Sequence, residues 1–313
     1  MSKTKMGKTK YRCLFGLLLT TVGFISVAAG DTEPKSQAAL TDNTLPNNTL
    51  PINTSPNKKG LLFYASFDEH PDADIAMGDA KVYTAQSMSK RFDLRSGIES
   101  KNIEQQTHGG VFGGALVFSE HASEFLVFKG DSNLPSSDDI FSVTVSLWLK
   151  TSPLKQLPNE YVDPIMILDD AWNDGSIFVD FDKSETKDFR LGVFSEYVFW
   201  NPMDIDFNDF PISERPMVGV KSDIFASHEW THVALTINDI NANSPSVAKL
   251  YINGELQNSF KRPLKIAWNP ANLRIVLGLN YVGAIDELAI FDRPLAHNEI
   301  AQLYLHSPLM PLP

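Results

Sequence analysis

From Gly60 onward the chain alternates short apolar runs with turn residues. The clearest run is Phe141–Lys150, where Phe141, Val143, Val145, Leu147 and Leu149 occupy every second position. That period marks a strand with one face in a core. Further strands are expected over Leu61–Phe67, Ile165–Leu168, Ile177–Phe181, Phe189–Phe194, Trp230–Ile237, Ala248–Ile252, Leu273–Leu277 and Ala284–Phe291. Gly114–Phe118 and Phe125–Phe128 are expected to pair around a turn. Asn253-Gly254, set between Leu250-Tyr251-Ile252 and Glu255-Leu256, is a strong hairpin signal because both residues tolerate positive φ. Near the end, Pro294 bends the chain, and Leu295, Ile300, Leu303 and Tyr304 mark the apolar side of a short helix. Many short strands and one terminal helix predict an all-β fold: a two-sheet antiparallel sandwich with a short C-terminal helix.

The first 59 residues read differently. Lys3, Lys5, Lys8, Lys10 and Arg12 precede an apolar stretch from Cys13 to Ala29, and Val27-Ala28-Ala29 offers small residues for cleavage. Residues 1–30 are therefore expected to be a signal peptide; the alternative is a retained membrane anchor. Residues 31–59 carry Asn43-Thr-Leu-Pro, Asn48-Thr-Leu-Pro and Asn53-Thr-Ser-Pro. Proline at every fifth position forbids a regular helix or central strand, so a flexible linker is expected. Residues 60–313 form the expected globular domain.

Composition narrows the function. Apolar residues are 43% of the chain, enough for a substantial core. Cleavage would remove five basic residues and no acidic one, taking the formal net charge from −11 to −16. Such a charge argues against nucleic acid and anionic lipid as partners. It would also remove Cys13, the single cysteine, leaving an exported chain without disulfides. The expected location is outside the cytoplasm (secreted, periplasmic or at the cell surface), without membrane insertion after cleavage and as a monomer.

Several motifs then recur in one order: Gly114-Ala-Leu-Val-Phe-Ser119, Val145-Ser-Leu-Trp-Leu-Lys150, Glu229-Trp-Thr-His-Val-Ala-Leu-Thr236, Lys249-Leu-Tyr-Ile-Asn-Gly-Glu-Leu256, Ile275-Val-Leu-Gly278 and Gly283-Ala-Ile-Asp-Glu-Leu-Ala-Ile-Phe-Asp-Arg-Pro-Leu295. Their content resembles the laminin-G-like jelly-roll domains of the concanavalin A-like lectin/glucanase superfamily. The resemblance covers roughly residues 61–305 and implies a jelly roll. Trp148 and Trp230 are expected to fill the space between the sheets. His232 is expected to be a strand histidine with a hydrogen-bond partner.

Glucanases of this superfamily set paired carboxylates on one strand, and the nearest match here is Asp180-Phe-Asp182-Lys-Ser-Glu185. It departs at the first position, with Asp180 where the pattern has Glu, and ends in a polar run, which reads as a hairpin turn. Asp286 and Glu287 are adjacent on a strand and are expected to face opposite ways. No catalytic residues are assigned, and the chain is expected not to be an enzyme. The resemblance also implies one structural calcium, with Asp68 and Asp286 as candidate ligands. The pentraxin calcium cluster is missing from Leu279-Asn280-Tyr281-Val282.

Carbohydrate is the expected ligand. Sugars pack their C–H faces on aromatic rings while amides and carboxylates take the hydroxyls. Trp172 and Asn173 in one loop, and Tyr197, Trp200, Asn201 and Asp204 in another, provide that mixture. The opposing expectation is that these aromatics cover a sheet face of their own domain. Two other roles stay open: a structural or adhesive surface protein that binds another protein, and a glycoside hydrolase.

Overall fold

The computed structural model describes residues 57–306 and Leu309. The expected signal peptide, and the expected linker up to residue 56, lie outside the described residues. The strands in chain order are β1 (Leu61–Ala65), β2 (Ile75–Ala76), β3 (Tyr83–Ala85), β4 (Arg95–Ser96), β5 (Ile103–Gln106), β6 (Ala115–Phe118), β7 (Phe125–Lys129), β8 (Phe141–Lys150) and β9 (Val162–Leu168). They continue with β10 (Ile177–Phe181), β11 (Phe189–Val193), β12 (Met217–Val220), β13 (Thr231–Ile240), β14 (Ser246–Ile252), β15 (Glu255–Arg262), β16 (Arg274–Leu279) and β17 (Gly283–Phe291). Two four-residue helices, α1 (Pro153–Gln156) and α2 (Tyr197–Trp200), lie in loops, and α3 (His297–His306) follows the last strand.

Among the described residues the strands form two antiparallel sheets. The first runs β15-β14-β13-β8-β17-β1-β2, with β6 and β5 continuing from β17. The second runs β12-β11-β10-β9-β16-β7-β3-β4. This is a jelly-roll sandwich. Alternate residues of both sheets meet in one core, as with Val143, Val145, Leu147 and Leu149 of β8 against Ile165, Ile167, Val179 and Leu191 of the other layer. The Asn253-Gly254 turn is a tight hairpin with φ of 51° and 82°, and it pairs Ile252 with Glu255.

Two expectations are corrected here. β6 and β7 do not pair: β6 bonds to β17 and β5 in the first sheet, whereas β7 bonds to β16 and β3 in the second. The connection crosses the sandwich, so Leu116 and Phe118 meet Leu126 and Phe128 across the core rather than along a ladder. Trp148 is not between the sheets. Its odd-numbered neighbours point inward, so it faces out and stacks on Tyr304 of α3 at 5.6 Å. Trp230 is half-buried beneath the Lys150 ammonium, 5.6 Å away.

α3 closes the outer face of the first sheet. Leu295, Ile300 and Leu303 are buried there with Tyr64, Tyr251 and Phe291. His232, on the same face, is wholly buried; its Nε2 lies 2.9 Å from Ser146 Oγ, and burial lowers it to about 3, so it is neutral. Glu299 anchors the start of the helix. Its carboxylate accepts the Ala296 N–H at 3.0 Å and both Arg293 Nη groups at 2.7 and 2.8 Å. The Arg293 bonds hold it down at about 2. Because the native value lies below the unfolded one, this contribution is full above pH ~4.3 and fades as pH falls towards 2. Glu299→Gln should therefore destabilise the domain by roughly 1–2 kcal/mol at pH 7 in urea unfolding. The difference from wild type should shrink steadily between pH 4 and pH 2.

Candidate functional site

The outer face of the second sheet carries the other concentration of aromatic and charged groups. On β10, Ile177, Val179 and Phe181 enter the core, which turns Phe178 and Asp180 outward. On β11, Phe189, Leu191 and Val193 do the same, leaving Arg190 and Gly192 outside. Register sets Arg190 opposite Asp180 and Gly192 opposite Phe178. A Cβ on Gly192 would strike the Phe178 ring, so glycine lets that ring lie across the neighbouring strand.

The segment from Ser195 to Pro216 folds back over this face. Trp200 and Phe207 pack on Phe194 with centroids 5.0 and 5.9 Å away, and Trp200 Nε1 donates to the Asn173 carbonyl at 2.8 Å. Phe207 also meets Trp172 edge to face at 5.2 Å. Between this flap and the strands lies a groove of about 970 Å³, with Tyr161, Trp172 and Phe207 among its walls and Asp163, Asp180 and Arg190 at its floor. That volume is in the range of a small-ligand site.

The floor is electrostatically unequal. Arg190 grips Asp180 with a fork, Nε on Oδ1 at 2.9 Å and Nη2 on Oδ2. Burial raises Asp180, and the guanidinium opposes that rise. Asp163 reaches the same floor from β9. Burial first, and then the Asp180 charge, push its carboxyl well above the usual range. Of the two, Asp180 has the guanidinium opposing its rise by direct hydrogen bonds, whereas Asp163 has burial and a neighbouring carboxylate both pushing it up.

The six sequence-predicted ligand residues divide. Trp172 lines the large groove and is 41% exposed. Asn173, Tyr197, Trp200, Asn201 and Asp204 line a separate hollow of about 310 Å³ in the flap. Their polar groups mostly hold the flap to itself. Asn201, 3% exposed, donates to the Ile205 carbonyl at 2.8 Å and accepts the Ile205 N–H at 3.0 Å, while the Tyr197 hydroxyl donates to Asp204 at 2.6 Å. Sequence reasoning passed over Tyr161, Asp163 and Arg190 as site residues. Asp182 is a turn residue, as its polar surroundings predicted: its carboxylate accepts the Ser184 and Asp188 N–H groups at 3.0 and 3.1 Å.

The calcium candidates lie on the other layer. Asp68 Oδ1 accepts the Gly114 N–H at 2.7 Å, and Asp286 Oδ2 accepts those of Val111 and Phe112 at 2.7 and 3.3 Å. The two acids thus hold one glycine-rich turn from either side. Gly113, at φ 53°, leaves no room for a Cβ against the Asp68 carboxylate. Among the described residues no group of three or more His, Cys, Asp or Glu assembles as a metal centre.

Asp286 and Glu287 require a correction, because strict alternation fails between them. Asp286 is opposite Trp148 but Ala289 is opposite Ser146, so β17 holds an extra residue, and Glu287 takes φ 54°. Both carboxylates therefore fall between the inward Ile285 and Leu288 and end on the outer side. Glu287 accepts the Tyr64 hydroxyl at 2.8 Å, and burial together with the Glu287 charge raises Asp286 to about 9.

Comparison with known proteins agrees with this architecture. A family model described as the concanavalin A-like lectin/glucanases superfamily, laminin-G type, matches residues 128–301. The chain belongs to that superfamily. Among solved structures, domain 4 of the extracellular arabinanase AbnA from Geobacillus stearothermophilus, determined with arabinotriose, has 20% identity and a TM-score of 0.51. The match covers 80% of this chain and 100% of that domain. The binding domain of botulinum neurotoxin serotype G (13% identity, TM-score 0.49) matches over 78% of this chain and 50% of its own. A Trypanosoma rangeli sialidase (12%, TM-score 0.45) matches over 79% and 32%. At such identities the likeness is one of fold. No curated protein sequence matches the chain.

For this superfamily member the Asp180–Arg190 pair is the structural keystone of the groove floor. Arg190→Ala should destabilise the domain by about 3 kcal/mol in urea unfolding, since it strands a buried carboxylate. Replacing both partners, with Asp180→Leu and Arg190→Met, should recover most of that loss.

Proposed function

We propose that the domain is an exported, non-catalytic recognition module that binds carbohydrate in the groove on the outer face of the second sheet. The observation that carries the reading is the groove itself: aromatic walls over a floor of polar side chains held by a rigid sheet. Trp172 is its most accessible large ring, suited to stack on a sugar face. The engagement of Asp180 by Arg190 supports binding over hydrolysis, because a carboxylate locked in a fork is poorly placed to attack or to relay a proton. Export rests on residues 1–30 of the sequence. Among the described residues no helix is long and apolar enough to cross a membrane.

Trp172→Ala should abolish retention on the polysaccharide or glycan that the wild type binds, measured by affinity electrophoresis after a glycan array. Wild-type behaviour from Trp172→Ala would overturn the choice of groove. A second reading, recognition of a protein surface, is favoured by the apolar tip of the flap, where Val198, Met203 and Ile212 are exposed. It replaces the first if the array is blank and cross-linking on intact cells captures a protein through that tip.

Calcium is proposed as a structural ion at the opposite layer. Asp68 and Asp286 are buried, and among the described residues neither is in an ion pair. They offer only hard oxygen donors, the type calcium takes. Adding EDTA should lower the melting temperature and excess calcium should restore it. An unchanged melting temperature would remove the ion from the account and leave the two acids as tethers of the turn.

A further inference from the structure

Most of the buried charges lining the groove are engaged by neighbours. Its acids are Glu160, Asp163, Asp170, Asp180 and Asp206; its bases are Arg91, Lys183 and Arg190. Arg190 is held by Asp180. Arg91 donates to the carbonyls of Met88 and Asp170 at 3.0 and 2.8 Å and to the Asp170 carboxylate at 3.3 Å. The Lys183 ammonium lies 5.3 Å over the Tyr161 ring. A sialylated, uronic or sulfated ligand would have to break these contacts to use either arginine, and elsewhere would sit among surplus acids.

Asp163 is the buried acid among them that no neighbour holds. It is 5% exposed and lines the groove, and no hydrogen bond or ion pair reaches its carboxyl from the described residues. Its position is built in by a bulge. Val179 of β10 is opposite Ile165, but Phe181 is opposite Val162, so β9 carries an extra residue at Asp163-Pro164. Proline has no N–H for the ladder, and bulges accommodate that. Val162 and Ile165 both enter the core, and Asp163 is turned out into the groove. Its oxygens open to the groove, where a ligand hydroxyl can take the place of solvent.

We propose that Asp163 is the specificity-determining residue at the groove floor, and that the groove takes an uncharged glycan whose hydroxyls bond the Asp163 carboxyl while a sugar face rests on Trp172. The inference rests on the glycan reading of the groove given above. The raised carboxyl of Asp163 supports it, since a protonated acid both donates to and accepts from a hydroxyl without burying net charge.

The test uses the full chain on an array carrying matched neutral, sialylated and uronic glycans, followed by calorimetric titration of the tightest ligand. Asp163→Leu should weaken binding about tenfold or more. Its melting temperature should equal or exceed that of wild type, which a purely structural residue would not show. Asp163→Asn, which keeps a donor and an acceptor, should lose less affinity than Asp163→Leu, and it serves as the test if the leucine variant does not fold. Three results would overturn the inference. Binding by either variant at wild-type strength, with Trp172→Ala still inactive, removes Asp163 and leaves the glycan reading intact. Hits confined to acidic glycans remove the ligand class. No glycan bound by wild type removes the reading beneath it as well.

Discussion

Each central strand of this sandwich has two faces to cover, and the inward one admits almost nothing but apolar side chains. Among the described residues nine strands of one layer and eight of the other meet through alternate residues, so one core fixes the orientation of the side chains on both sheets. A side chain one position away from the core must find cover outside the sheets. The first sheet finds it under α3, where Tyr64, Tyr251 and Phe291 meet Leu295, Ile300 and Leu303. The second finds it under the flap, where Phe178 and Phe194 meet Trp200 and Phe207. The helix seals its face, whereas the flap stops short and leaves the groove.

Much of this was legible where period two ran unbroken. Phe141–Lys150 shows its inward set directly, and Asn253-Gly254 carries the one dihedral sequence a tight hairpin requires. The same rule applied consistently would also have placed Trp148 outside, since the residues on either side of it face the core. β6 and β7 misled because a short apolar run after another, with a turn between, looks the same whether the chain pairs with itself or crosses to the opposite sheet. The resemblance to laminin-G-like domains named the fold correctly, because six motifs in order constrain topology more than any one strand does.

The candidate site was less legible, for a local reason. Asp163, which was overlooked, and Asp286 and Glu287, which were misread, sit at β-bulges. A bulge adds one residue and resets which face the next side chain takes, so parity counted from before it fails for the strand beyond. Pro164 was the available signal for the first, as a residue that a central ladder cannot accept without an irregularity. Nothing comparable marks Glu287. The aromatic loop drew attention instead, because rings and amides are conspicuous in a sequence while Arg190, one polar residue in an apolar strand, is not. Its meaning depends on a partner ten residues away across a hairpin.

The two floor carboxylates show how register gives neighbouring acids on one sheet different surroundings. Asp180 lies across from Arg190, so its burial is balanced within the protein, and it contributes rigidity to the floor. Asp163 lies across from Leu279, on a strand whose outward residues are apolar, and the nearest guanidinium is already held. The difference follows from register alone: the hairpin that gives Asp180 its partner is closed on the side away from β9. Register therefore gives one buried carboxyl of the floor a bonded cation and leaves the other facing the groove.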